Sequence, residues 1–189
     1  GAAVTELRIV RSRRKTLAMQ VLPTGEIVAR APLRLPERDI HAFAEQHAAW
    51  LEAAVARARA GSRAAQRAGI LSETELQRLR TAARADLTER VTCLAARMGV
   101  DFAGITIRAQ RTRWGSCSAR GSLSFNCLLM LAPPEVREYV AVHELCHRKQ
   151  MNHSAAFWRE VALWLPDYAA QRAWLREHGP ALLGRLAKT

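Results

Sequence analysis

Polar and apolar residues alternate in two short runs near the start of the 189-residue chain, TLAMQV (16–21) and EIVARA (26–31). Pro23, Thr24 and Gly25 lie between them and have turn chemistry, so the pair predicts a β-hairpin. Pro32 and Pro36 bracket a connector. The period then changes. Ile40, Phe43, Ala44, His47, Trp50, Leu51 and Val55 recur every three or four positions, which predicts one helix over 37–60. Leu76, Leu79, Leu87, Val91, Leu94 and Met98 form the apolar stripe of a second, longer helix. Ser72 and Glu75 make a capping box at its start, and Gly99 is its natural stop. The stretch AGSRAAQRAGIL (60–71) between these helices is the expected boundary. It divides the chain into an N-terminal hairpin-plus-helix subdomain, 1–70, and a second domain, 71–189.

Further along, ITIRAQ (105–110) and SLSFNCLLML (122–131) predict strands. RTRWGSCSARG (111–121) joins them, with a turn near Gly121. Pro133 and Pro134 suit a helix start, and Glu135 and Glu138 suit its first turn. This helix is expected to run to about Gln150. Ser154 can cap the next helix, Pro166 ends it, and DYAAQRAWLREHG (167–179) makes a last one closing at Gly179. Strands and helices follow one another in blocks, so the fold class is α+β.

Composition changes this picture little. Apolar residues make up 49% and charged residues 24%, as in an ordinary globular protein. No apolar run approaches the roughly 18 residues of a membrane span, and GAAVTELRIV has no signal-peptide pattern. Cys93, Cys117, Cys127 and Cys146 form no CxxC pair, which suits free thiols in a reducing, cytoplasmic setting. The net charge of +12 would suit a nucleotide or nucleic-acid partner. Yet the basic residues are spread along the whole chain, and only RSRRK (11–15) is dense, so a solvated surface fits equally well.

The chemistry concentrates in HELCHRKQMNH (143–153). On a helix, His143 and His147 are one turn apart on one face and can converge on a cation. Glu144 sits about 100° around from His143, beside a metal rather than on it. There it can take a proton from a metal-activated water and pass it to a leaving group. HExxH arises by chance in roughly one chain in a hundred of this length, so the flanking residues decide its weight. Val142 and Leu145 make the opposite face apolar, as in a helix docked in a core. His153 follows ten positions after His143, and a left-handed turn at Asn152 would swing it back as third ligand. Glu160, on the following helix, is the competing third ligand. Three protein ligands leave one position open for water, the mark of a catalytic zinc site.

RSRRKT, RWGSC, LMLAPPEVREYVAVHELCH, MNHSAAFW and PDYAAQRAWL together resemble the YgjP-like metallopeptidase family, zincins related to SprT-like proteases. The likeness runs from about Arg11 to His178. It implies a zincin-like α+β domain whose HExxH helix lies beside a small antiparallel sheet. It also implies one catalytic zinc on His143, His147 and His153, Glu144 as general base, and polypeptide substrates. The metzincin pattern fits less well, because Gln150 stands where its glycine belongs. A DNA-associated SprT-like role is weakened by the short, cysteine-free tail ALLGRLAKT.

Other residues keep two readings. Trp114 and Gly115 lie where a strand should end beside the active helix, and either face substrate or simply pack and bend. Arg113 is a candidate for a substrate carboxylate or phosphate. With Arg11, Arg13 and Arg14 it keeps open a metal-dependent nucleotide phosphoanhydride hydrolase. Asn126, Tyr168 and Arg172 are candidate oxyanion or supporting groups. Cys146 lies about 60° off the His143 direction and is expected to be a small buried hydrophobe.

Overall fold

The Pro23–Gly25 turn signal falls between two paired strands in the computed structural model, which describes residues 6–188. The first five residues of the expected subdomain lie outside the described residues. The chain divides into two units, Gly1–Ala68 and Gly69–Thr189. In the first, β1 (Leu7–Ser12), β2 (Ala18–Val21) and β3 (Ile27–Pro32) form a sheet in the order β1-β3-β2. The hairpin expected around Pro23–Gly25 is present. β2 and β3 pair antiparallel, and Gly25 turns the chain at φ 88°. β1 adds a parallel strand that the alternation did not announce. Ile27, Val28, Ala29 and Ala31 of the middle strand are buried, as its central place requires.

The single helix expected over 37–60 is broken at His47 into α1 (Glu37–Gln46) and α2 (Ala48–Ala68). The His47 ring stacks on Phe43, and its Nδ1 bonds to the Phe43 carbonyl at 2.9 Å. The ring so takes the carbonyl that a continuing helix would give to the His47 backbone N–H, which bonds to Ala44 O instead. α2 then runs into the stretch 60–71 expected to be a boundary and stops within it, at Ala68. Ile27, Ala44, Leu51 and Val55 form part of this unit's core.

The second unit begins with α3 (Glu73–Met98). Ser72 and Glu75 form a complete capping box, and Gly99 ends the helix in the left-handed region at φ 66°. β4 (Gly104–Arg108), β5 (Gly115–Cys117) and β6 (Ser122–Asn126) follow, in the order β4-β6-β5. The sheet is mixed rather than purely antiparallel: β5 pairs antiparallel with β6, but β4 pairs parallel to it. The chain after β4 returns along the far edge as β5 before laying β6 in the middle. The strand expected to reach Leu131 stops at Asn126, whose side chain accepts from Leu128 N and starts a 3-10 turn over Cys127–Leu131.

α4 (Pro134–Cys146) starts at Pro134 and buries Val136, Tyr139, Val140, Ala141, Val142, Leu145 and Cys146. α5 (Ala155–Trp164) is capped by Ser154, and α6 (Tyr168–Leu183) continues past the stop expected at Gly179. Gly179 is there for close packing, since a Cβ would come within 3.2 Å of the Trp114 ring. α3, β6, α4 and α5 share one core containing Leu87, Val91, Phe125, Leu145, Phe157 and Val161. This is the α+β arrangement expected, with the HExxH helix against a small sheet. Among the described residues, no helix is long and apolar enough to cross a membrane.

Leu87→Ala is expected to lower the stability of this unit by about 2–5 kcal/mol, and Ser72→Ala by about 1 kcal/mol. Urea unfolding followed by tryptophan fluorescence measures both. A Leu87→Ala loss no larger than that at Ser72 would contradict the packing described.

Candidate active site

α4 carries His143 and His147 to its C-terminal end, where their ring centroids are 5.2 Å apart. His147 closes the helix, earlier than the expected Gln150. The chain tightens instead of unwinding: the N–H groups of His147, Arg148 and Lys149 bond to carbonyls three residues back. This compact turn swings the chain round. Asn152 does not take the left-handed conformation expected of it, since no described non-glycine residue has positive φ. His153 returns all the same, and its Nε2 lies 3.1 Å from His143 Nε2.

One nitrogen from each of His143, His147 and His153 lies within 4.8 Å of the others. The remaining nitrogens are held from outside. His147 Nδ1 donates to Gln150 O at 3.0 Å, leaving Nε2 as the lone-pair nitrogen. Tyr139 Oη lies 3.3 Å from His143 Nδ1. The fully buried Phe157 packs against all three rings, stacking on His147 at 4.5 Å. Burial, then the neighbouring histidines and the Arg172 charge, push the His143 pKa down to about 3. The same kinds of cause lower His153. Three converging imidazoles, with the charged form disfavoured at His143 and His153, suit a borderline dication.

Glu144 stands apart from this group and is only 6% exposed. Burial raises its pKa to about 7, and the Arg113 charge pulls the other way. Its Oε1 is 3.7 Å from His143 Nε2. With the imidazole neutral, that contact is not an ion pair. The space for Glu144 comes from Gly115 on β5. A Cβ there would lie 3.1 Å from Glu144 Cγ and 3.2 Å from both Ser124 O and Val140 Cγ1. Gly115 therefore does more than bend the chain. Its sequence signal was a glycine where a strand was expected to end.

The other expected site residues separate. Arg113 is exposed, with its charge acting on Glu144. Trp114 packs against Gly179 and beside Leu71, Leu128 and Leu186, which is a core role. Asn126 is 2% exposed and spends its amide on Gln110 O, Arg113 O and Leu128 N, so it braces the loop before β5. Tyr168 stacks on Trp158 at 5.4 Å, and Trp158 in turn stacks on His153 at 6.0 Å. Glu160 faces Lys149 at 3.7 Å and is not among the converging ligand atoms. Cys146 is fully buried, which pushes its thiol up to about 12. All four cysteines are free. Phe157 and Trp158 were missed as site residues, and their place directly after His153 was the available hint.

A helix that presents two imidazoles and a sequestered carboxylate, with a third imidazole returned to it, defines a metallohydrolase. The chain belongs to the YgjP-like metallopeptidase family, whose metallopeptidase domain matches residues 72–178, more than half of its length. Two solved structures are similar to part of it. The metallopeptidase zymogen of Pyrococcus abyssi abylysin is 21% identical, with 48% of this chain and 93% of that one covered at a TM-score of 0.43. The metallopeptidase zymogen of Methanocaldococcus jannaschii jannalysin is 20% identical, with 48% and 91% covered at a TM-score of 0.41. No curated protein sequence matches the chain.

Gly115→Ala is expected to cost about 1–3 kcal/mol through overpacking against Glu144 and Val140. Denaturant unfolding checks this, and a neutral or stabilising result would show that the site has slack.

Proposed function

We propose that this protein is a zinc peptidase in which His143, His147 and His153 hold the ion and Glu144 is the general base. The observation that carries the reading is the convergence of three imidazole nitrogens within 4.8 Å beside a buried carboxylate. A three-nitrogen set suits zinc and leaves a position open. When bound, zinc supplies Lewis-acid polarisation of a carbonyl and makes water more acidic.

The residues of the chain do the rest. His147 keeps Nε2 available because Gln150 O holds its Nδ1 proton. Glu144, poorly solvated, takes a proton more readily than a surface carboxylate. One of its carboxylate oxygens accepts the proton of the attacking water, then delivers it to the departing amine nitrogen. Phe157 excludes water from behind the three rings and fixes their planes. The polypeptide backbone is the substrate this arrangement serves.

Two predictions follow from these roles. His147→Ala and His153→Ala are expected to lose near-stoichiometric zinc, measured by elemental analysis of purified protein. Equal zinc in both variants and wild type would sink the ligand assignment. Glu144→Gln is expected to keep zinc and to lose about 10²- to 10⁴-fold in turnover of an unfolded-protein substrate. Retained turnover would remove Glu144 as base. Nucleoside triphosphates assayed in parallel decide the bond: release of phosphate with no peptide cleavage would replace the peptidase by a phosphoanhydride hydrolase.

A further inference from the structure

Arg172 lies on α6, one turn after Tyr168. Its guanidinium carbon sits 4.4 Å from the centre of the Trp158 ring. That same ring lies 5.7 Å from His143 and 6.0 Å from His153, centroid to centroid. The cation is so fixed in place beside the ligand cluster by a flat aromatic surface. Its charge is felt at His143, at His153 and at Tyr139.

Among the described residues no carboxylate pairs with Arg172. The acidic groups of this unit that form ion pairs do so elsewhere: Asp86 with Arg90 and Arg137, Asp101 with Arg148, Glu160 with Lys149, Glu73 with Arg80 and Glu177 with Arg176. Glu144, the acid nearest the histidines, feels the Arg113 charge. An exposed cation held beside a site suited to a dication is weakly unfavourable, and an anion joining the two would offset this. The described residues supply none, and a ligand can bring one. Guanidinium geometry matches a carboxylate, with two parallel N–H donors. Stacking on Trp158 leaves the edge donors of the guanidinium free for that use.

We propose that Arg172, held on Trp158, binds a carboxylate of the substrate and gives the site a preference for peptides that carry one close to the scissile bond. The inference rests on the peptidase reading above and names the substrate class for it. Two sources present this chemistry, the C-terminal α-carboxylate of a peptide and the side chain of an internal Asp or Glu.

The test uses acetyl-capped alanine-based hexapeptides in four forms: free C-terminal carboxylate, C-terminal amide, amide with one internal Glu, and amide with Gln in its place. Zinc-loaded wild type is assayed for cleavage, and zinc-loaded Glu144→Gln protein for binding by isothermal titration. A carboxylate form is expected to exceed its neutral partner about tenfold or more in kcat/KM and in affinity, mainly through KM. Which pair separates identifies the source. Arg172→Gln, and Arg172→Met as a second variant that keeps apolar contact with Trp158, should bring the ratio close to one. Arg172→Lys should restore part of it. Zinc content and circular dichroism confirm that each variant is folded. Equal use of charged and neutral peptides by wild type overturns the proposal, as does a preference that survives loss of the guanidinium. The two readings fail separately. Cleavage without carboxylate preference leaves a peptidase and removes this role for Arg172. Arg172-dependent binding of the carboxylate forms without any cleavage keeps this role and removes the peptidase.

Discussion

Three imidazole nitrogens turned toward one another are held together against their own chemistry. Lone pairs 3.1 Å apart, as between His143 and His153, attract nothing unless a proton or a metal lies between them. Burial makes a charged His143 expensive, which keeps a lone pair on one of its nitrogens for a metal. The surrounding structure maintains this tension. Phe157 fills the space behind all three rings, Gln150 O and Tyr139 hold the outer nitrogens, and Ser154 starts α5 at once so that Phe157 arrives in place. Arg148, the residue after His147, ties the end of α4 to Asp101 and to Ala119 O beside the Gly121 turn. The ligand geometry is therefore supported from both the helical and the sheet sides of its unit.

Glu144 obeys a second constraint, that of space. A carboxylate kept out of water needs room without polar partners that would pull its proton affinity down. β5 provides that room by placing a glycine against it. The strand is short and lies at the sheet edge, so it approaches α4 with its backbone and little side-chain bulk. Asn126 holds the preceding loop through Gln110 O and Arg113 O, which fixes where β5 begins. An amide first read as a candidate contact for substrate thus sets the position of the strand that shapes the carboxylate's pocket.

The parts of the fold written in local chemistry were legible in the sequence. The Ser72–Glu75 box, the Gly99 stop, the Pro23–Gly25 turn and the Pro134 start each depend on residues within a few positions. What escaped depends on distant partners. β1 is a strand because β3 lies beside it, and the sheet is mixed because β6 inserts between β4 and β5. The break at His47 hangs on one ring choosing the Phe43 carbonyl. In the site, the spacing of His143, His147 and His153 was readable because a helix converts sequence distance into direction. Phe157 was not, nor were the contacts that Gly115 and Arg172 make, since each of these depends on packing between separate elements.

The excess of positive charge illustrates the same point. As composition, +12 suggested a face for nucleic acid. Among the described residues, six arginines reach backbone carbonyls. Arg11 reaches Pro32 O and Leu35 O, Arg111 reaches Leu186 O, Arg137 gathers Leu129 O, Met130 O and Ala132 O, and Arg185 reaches Gly69 O. Arg111, Arg137 and Arg185 bridge segments that carry no ladder between them, and a planar, always-charged donor does this better than lysine. Arginine enrichment with only three lysines fits that use. Part of the positive charge is thus used to fasten loops. Two arginines act near the histidines: Arg113, whose charge is felt at Glu144, and Arg172, which lies over Trp158.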